Sequence, residues 1–296
     1  VYGHDIVKNF LRIKEGKGKV TNCKVENTGT YAVRAGGEVT IENIYAENLG
    51  THGIYISPGK VTVKNVEVKN AKEYGFVNVG GEATATNIKI TGAGTSAFIN
   101  YDSTFNGKGE KGLLTLKDCV ATDCKSNLLV RGGTSVKVSD CVFNKTIRTN
   151  VHMTEGTAEL TNVKLLGASD KDCSIVSIRK DAKATFSNVE MAHGNRGISL
   201  AGKITVNGGS IHDNEGELAG NAIRTEDNAV YKLDGVKIYN NRNTSEKMAG
   251  GVSFMAKGSQ GTIVNCEITN NSSIRTVGGI YAEKAELNIR DTVFKN

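Results

Sequence analysis

The stretch VTIENIYAEN at residues 39–48 is followed by VTVKNVEVKN at 61–70 and ATATNIKITG at 83–92. Asn43, Asn65 and Asn87 are 22 residues apart, and so are Asn48, Asn70 and Gly92. Apolar residues alternate with polar ones on both sides of each Asn, so the short runs read as strands; a helix needs a 3.6-residue period and more length. A fixed period of this size marks a unit that stacks on copies of itself.

The first turn residue of the unit can be followed along the chain as Asn22, Asn43, Asn65, Asn87, Asp118, Asp140, Asn162, Asn188, Gly208, Gly235, Asn265 and Asp291. Five residues after each marker stands a second one: Asn27, Asn48, Asn70, Gly92, Asp123, Lys145, Gly167, His193, Asp213, Asn240, Asn270 and Asn296. Each coil therefore holds a strand before the first marker, one between the markers, and a third that follows a small residue, as in Gly53-Ile54-Tyr55-Ile56 and Gly197-Ile198-Ser199-Leu200. No coil buries its inner side chains alone, so the coils must stack. The expected fold is all-β, a right-handed parallel β-helix of about twelve coils with three short strands per coil, forming one domain over residues 1–296.

The coil pattern resembles the β-helix repeats of the pectin-lyase-like superfamily over nearly the whole chain. The last coils, with Gly250-Gly251-Val252-Ser253-Phe254, Gly278-Gly279-Ile280-Tyr281, Tyr239-Asn240-Asn241 and Thr269-Asn270-Asn271, are also similar to repeats of chlamydial polymorphic membrane proteins and of gut-bacterial adhesins. That resemblance implies an extracellular segment of a bacterial surface protein, joined to adjoining domains of the same polypeptide. The chain starts without Met and stops within a coil, as expected of such a segment.

The composition suits this fold, with 35 glycines, one proline and no tryptophan. No apolar run approaches the length of a membrane span, and no basic block with interleaved aromatics points to nucleic acid. A net charge of +6, from 37 basic and 31 acidic residues scattered in both signs, reads as a solvated surface. Cys23, Cys119, Cys141 and Cys266 occupy the first apolar position after a marker and read as small core residues; Cys124 and Cys173 fall in turn regions and read as exposed. Cys119 and Cys141 should stack in register, a poor geometry for a disulfide. No metal or other cofactor is expected, because no histidine pair has ligand spacing.

Two regions are candidate ligand sites. Asn87 and Asp118 are 31 residues apart, so the extra residues form a loop around Tyr101, Asp102 and Phe105. These offer aromatic surface with an acceptor, suited to a sugar. Further on, His152, Ser177, Arg179, Ser199, Arg224 and Glu226 fall on or beside third strands and are expected to line one sheet. A catalytic role would require two carboxylates in register, or a strong base beside a group that neutralises a uronate. The expected function is a non-catalytic surface or adhesin segment presenting loops to a host or environmental glycan or protein ligand. The alternative is a polysaccharide lyase or glycoside hydrolase with a groove on the third sheet. The polar loops Glu215–Asn221 and Arg242–Met248 fall at the same place in consecutive coils and are expected to rise side by side.

Overall fold

The computed structural model describes residues 1–104, 109–217, 220–244, 251–254, 257–274 and 277–295. Every strand pairing with a resolved register is parallel, and the chain winds as a right-handed solenoid of about 13 turns. Beyond the twelve coils marked in the sequence, Tyr2–Ile6 pairs with Lys17–Thr28 (Tyr2↔Lys24) as a further partial turn.

The markers owe their chemistry to backbone conformation. All twelve first markers, and every second marker among the described residues, have φ between 45° and 71°. This left-handed region costs an ordinary L-residue about 1–2 kcal/mol; Asn, Asp and Gly adopt it most easily. One such residue bends the chain while ladder pairing continues on both sides. Tyr31–Leu49 and His52–Ala71 are therefore each continuous strands in which the expected short strands run together. In the later coils the strands separate, as in Val230–Asp234, Lys237–Tyr239 and Gln260–Val264.

Contacts divide the chain into two compact units, Val1–Asn144 with Glu155–Ala158, and Lys145–Thr154 with Glu159–Asn296. In the first unit, the stacked markers form an amide ladder: Asn43 Nδ2 donates to Asn22 Oδ1 (2.9 Å), Asn65 to Asn43 (3.1 Å) and Asn87 to Asn65 (2.9 Å). A parallel ladder joins Asn70, Asn48 and Asn27. Inward positions build like-on-like columns such as Ile44, Val66 and Ile88, all at most 2% exposed. Phe76, Phe98 and Phe143 stack at centroid distances of 6.1 and 5.8 Å.

In the second unit, Met191, Ile211, Ile238 and Ile268 form a buried column beside a ladder that runs inside the coil. Asn214 Nδ2 donates to Asn241 Oδ1, and Asn241 Nδ2 to Asn271 Oδ1, each at 2.9 Å. Thus in the Asn240-Asn241 and Asn270-Asn271 pairs the first residue makes the left-handed turn and the second supplies the buried ladder. The expected side-by-side loops begin together: Glu215–Gly216, Arg242–Asn243 and Ser272–Ser273 pair as a short parallel sheet.

Cys23, Cys119, Cys141 and Cys266 are core residues, and the Cys119 N–H donates to Cys141 Sγ (3.3 Å) with no bond between the sulfurs. Cys124, read from sequence as exposed, is fully buried. It follows the left-handed Asp123, by which point the chain has already turned inward, and its Sγ accepts from the Ala93 N–H. Burial pushes its thiol up to about 11. Cys173 is the one partly exposed cysteine.

Asn65→Ala is expected to cost about 1–3 kcal/mol, from left-handed strain and a broken ladder, whereas Lys145→Asn, at a position with φ 45°, should gain up to about 1 kcal/mol; denaturant unfolding of both variants checks the pair. Iodoacetamide should label Cys173 first in the native chain and the other five cysteines only on unfolding, with peptide mass mapping as the measurement.

Candidate functional site

The outward positions of the third strand carry the aromatic and polar side chains that the sequence singles out. In the first unit, Tyr31, His52, Tyr74 and Ser96 are successive register partners. A second column runs through Arg34, Tyr55, Val77, Ile99 and Leu129. Tyr101 lies in a third, beside Val79.

These columns form an aromatic face. Val77, Val79, Ile99 and Leu129 make a dry outer floor, against which the half-buried Tyr55, Tyr74 and Tyr101 pack. His52 sits edge-on between Tyr31 and Tyr74, at centroid distances of 5.0 and 5.2 Å, and its ring stacks on Tyr55 at 5.7 Å. The Arg34 guanidinium lies over Tyr55 (4.9 Å) and Tyr31 (5.7 Å), and Arg131 over Tyr101 (5.8 Å). Burial raises the Tyr55 phenol, and burial together with the neighbouring Tyr101 hydroxyl raises that of Tyr74, so both remain neutral donors across the physiological range. Burial also lowers the His52 pKa, against the opposing pull of Glu73 at 3.9 Å.

The loop residues read from sequence divide. Tyr101 belongs to the aromatic face. Asp102 is fully buried: its Oδ2 accepts from Thr104 Oγ1 (2.7 Å) and the Gly109 N–H (3.0 Å). Its carboxylate closes the loop and presents no acceptor at the surface. A Cβ at Gly132 (φ 66°) would lie 2.4 Å from Asp102 Oδ1, so the next coil needs glycine there. Phe105 lies outside the described residues.

Sequence reading missed Tyr31, Arg34, His52, Tyr55 and Tyr74. Gly53 and Gly75, whose Cβ positions are closed off by Val68 and Ile90 side chains, shift the alternation by one residue. Simple parity therefore does not place Tyr74 and Val77 on one face. The available signal was the recurrence of an aromatic or histidine just before the small residue in successive coils.

In the second unit an outward column of the third strand carries polar groups. Ser177, Ser199, Arg224, Ser253 and Tyr281 are in register. The Val151 N–H donates to the Ile175 carbonyl, the step by which Val176 reaches Gly197, so His152 precedes Ser177 in this column. Arg179 and Glu226 sit one column over, 4.0 Å apart, with the small Ala201 at the level between them. Thus His152, Arg224, Arg179 and Glu226 share one sheet face, and the one carboxylate of that group is held by an arginine.

A further cluster lies on the second strand. His212 reaches Asp213 (2.7 Å) and Glu190 (3.4 Å) and stacks on Tyr239 at 4.6 Å. The His212 hydrogen bond holds the Asp213 carboxyl below its usual range. Among the described residues no three His, Cys, Asp or Glu side chains group as metal ligands.

The family model for the right-handed β-helix region matches residues 9–160 and 149–296, and the chain belongs to that family. Among solved structures it is similar to a mutant of the periplasmic alginate epimerase AlgG, with 13% sequence identity, a TM-score of 0.52, and coverage of 92% of this chain and 76% of that one. At that identity the likeness concerns the fold alone. No curated protein sequence matches the chain.

His52 gives this face a pH signature. A histidine with a lowered folded pKa binds fewer protons when folded, so its contribution is present above the unfolded value of 6.5 and is lost as pH falls through that value toward the folded one. The unfolding midpoint of the wild type should therefore fall more steeply below about pH 6.5 than that of His52→Gln; thermal melts across this range test it.

Proposed function

We propose that the chain is a non-catalytic β-helix segment of a surface or secreted protein that binds glycan on the aromatic face of its third sheet. The observation that carries this reading is the set of Tyr31, His52, Tyr55, Tyr74 and Tyr101 on one outer face, flanked by Arg34 and Arg131. Sugar rings present C–H faces to aromatic rings and hydroxyls to phenol and guanidinium donors; the dry floor below holds the rings rigidly, which keeps the entropy cost of binding small. The periplasmic location of the structural neighbour is in keeping with a secreted or surface role. An enzyme of the lyase or hydrolase type would require a second acid–base partner near Glu226, whose carboxylate already faces Arg179.

The test is a glycan array with the purified chain, each hit being incubated with the protein and its products weighed by mass spectrometry. Binding without new products is the expected result, with Tyr55→Ala and Tyr74→Ala each weakening it roughly five- to tenfold, the equivalent of about 1–1.4 kcal/mol per ring. Cleaved or epimerised products would overturn the non-catalytic reading, and binding indifferent to both substitutions would move the site elsewhere.

A further inference from the structure

The aromatic face of the first unit is cationic at its two ends and uncharged along its floor. Arg12 and Arg34 are register partners, so two guanidinium-bearing residues stand one coil apart on the same outward column. That column continues through Tyr55, Val77, Ile99 and Leu129, four register steps beyond Arg34. Arg131 follows two residues after Leu129, with its guanidinium over Tyr101. Four steps at the strand spacing of about 4.8 Å separate the ends by roughly 19 Å along the stack. Between them the floor is aliphatic, His52 is neutral at neutral pH because burial lowers its pKa, and the Glu73 carboxylate stands beside it.

Neither end is neutralised by the protein. Among the described residues, Arg12, Arg34 and Arg131 form no ion pair, and none of their guanidiniums donates a hydrogen bond. Basic residues elsewhere in this unit do have carboxylate partners: Lys17 pairs with Glu38, Lys24 with Glu26, Lys60 with Glu82 and Lys89 with Glu67. Cation–π attraction holds the Arg34 guanidinium over Tyr31 and Tyr55, and that of Arg131 over Tyr101, while their N–H edges stay unpaired. Arg12 and Arg34, as like charges in adjacent coils, repel each other until an anion joins them.

From this charge pattern we infer that the ligand of the aromatic face is a sparsely charged acidic glycan, whose carboxylate-bearing sugars are separated by neutral ones. A carboxylate pairs with Arg34, supported by Arg12, at one end, and another pairs with Arg131 at the other. Neutral rings lie over Tyr55 and Tyr74 between them. A pyranose advances its chain by about one coil step, so the two ends fit charges about four sugars apart. A polymer with a carboxylate on every ring is disfavoured, because its central charges would lie over the aliphatic floor and beside Glu73 with no cation to receive them. The inference rests on the proposal that this face binds glycan, and adds the charge spacing that the glycan carries.

Titration calorimetry on the purified chain compares octasaccharide probes of equal length. These are deacylated gellan, with one glucuronate in every four sugars, the same gellan with its carboxylates reduced to alcohols, and octagalacturonate, charged on every ring. Gellan should bind roughly five- to tenfold more tightly than its reduced form, and octagalacturonate no more tightly than the reduced form. The ratio between the two gellan forms should fall toward one in Arg34→Gln and in Arg131→Gln, stay partly above one in Arg34→Lys, and shrink as salt is added. Octagalacturonate binding as tightly as gellan would overturn the sparse-charge inference, and so would a ratio that the arginine substitutions leave unchanged. If both gellan forms then lost affinity in Tyr55→Ala, the glycan reading would survive that failure; binding of every probe indifferent to Tyr55→Ala, or no binding at all, would remove both.

Discussion

A residue with a side chain resists the left-handed backbone region, and this chain enters it twice in nearly every coil. Stacking is what makes this tolerable. Along Asn22, Asn43, Asn65 and Asn87 each amide donates to the amide one coil away, so the conformation that is unfavourable in a single coil is favoured in an array. The turn also fixes direction: each left-handed residue rotates the following strand onto a new sheet without interrupting its pairing. The parallel register, the inward columns and the outward faces all follow from keeping these turns in line.

Once the turns are aligned, inside and outside obey different rules. Inward columns must match in size from coil to coil, and they repeat aliphatic residues, phenylalanines or asparagines. Asn214, Asn241 and Asn271 show that a polar residue can serve there if its neighbours bond to it in sequence. Outward columns carry no such restriction. One outward column of the third strand holds Arg34, Tyr55, Val77, Ile99 and Leu129 in the first unit, and one in the second holds Ser177, Ser199, Arg224, Ser253 and Tyr281.

The turns were legible in the sequence because few residues tolerate them, and Asn43, Asn65 and Asn87 announce both the period and the strand on either side. Lys145 and His193 were placed by spacing alone, since nothing in their chemistry asks for the conformation they adopt. What could not be read depended on side-chain direction. Cys124 looked like a turn residue one position after Asp123, although the chain has already turned inward there. Asp102 had the composition of an exposed acceptor, but it is fully buried and its carboxylate accepts from Thr104 and Gly109. The aromatic face stayed hidden because Gly53 and Gly75 break the alternation that sequence parity relies on.

Parallel stacking gives the aromatic face a ruler. Tyr31, His52 and Tyr74 repeat at centroid steps of 5.0 and 5.2 Å, close to the strand spacing of about 4.8 Å that the ladder imposes. A polymer laid along these rings is measured against that spacing. If its own repeat is a multiple of the step, it can slide by one coil and find an equivalent seat, so occupancy carries a statistical weight that grows with ligand length. If its repeat is incommensurate, only one offset aligns, and the face discriminates by phase rather than by any single contact.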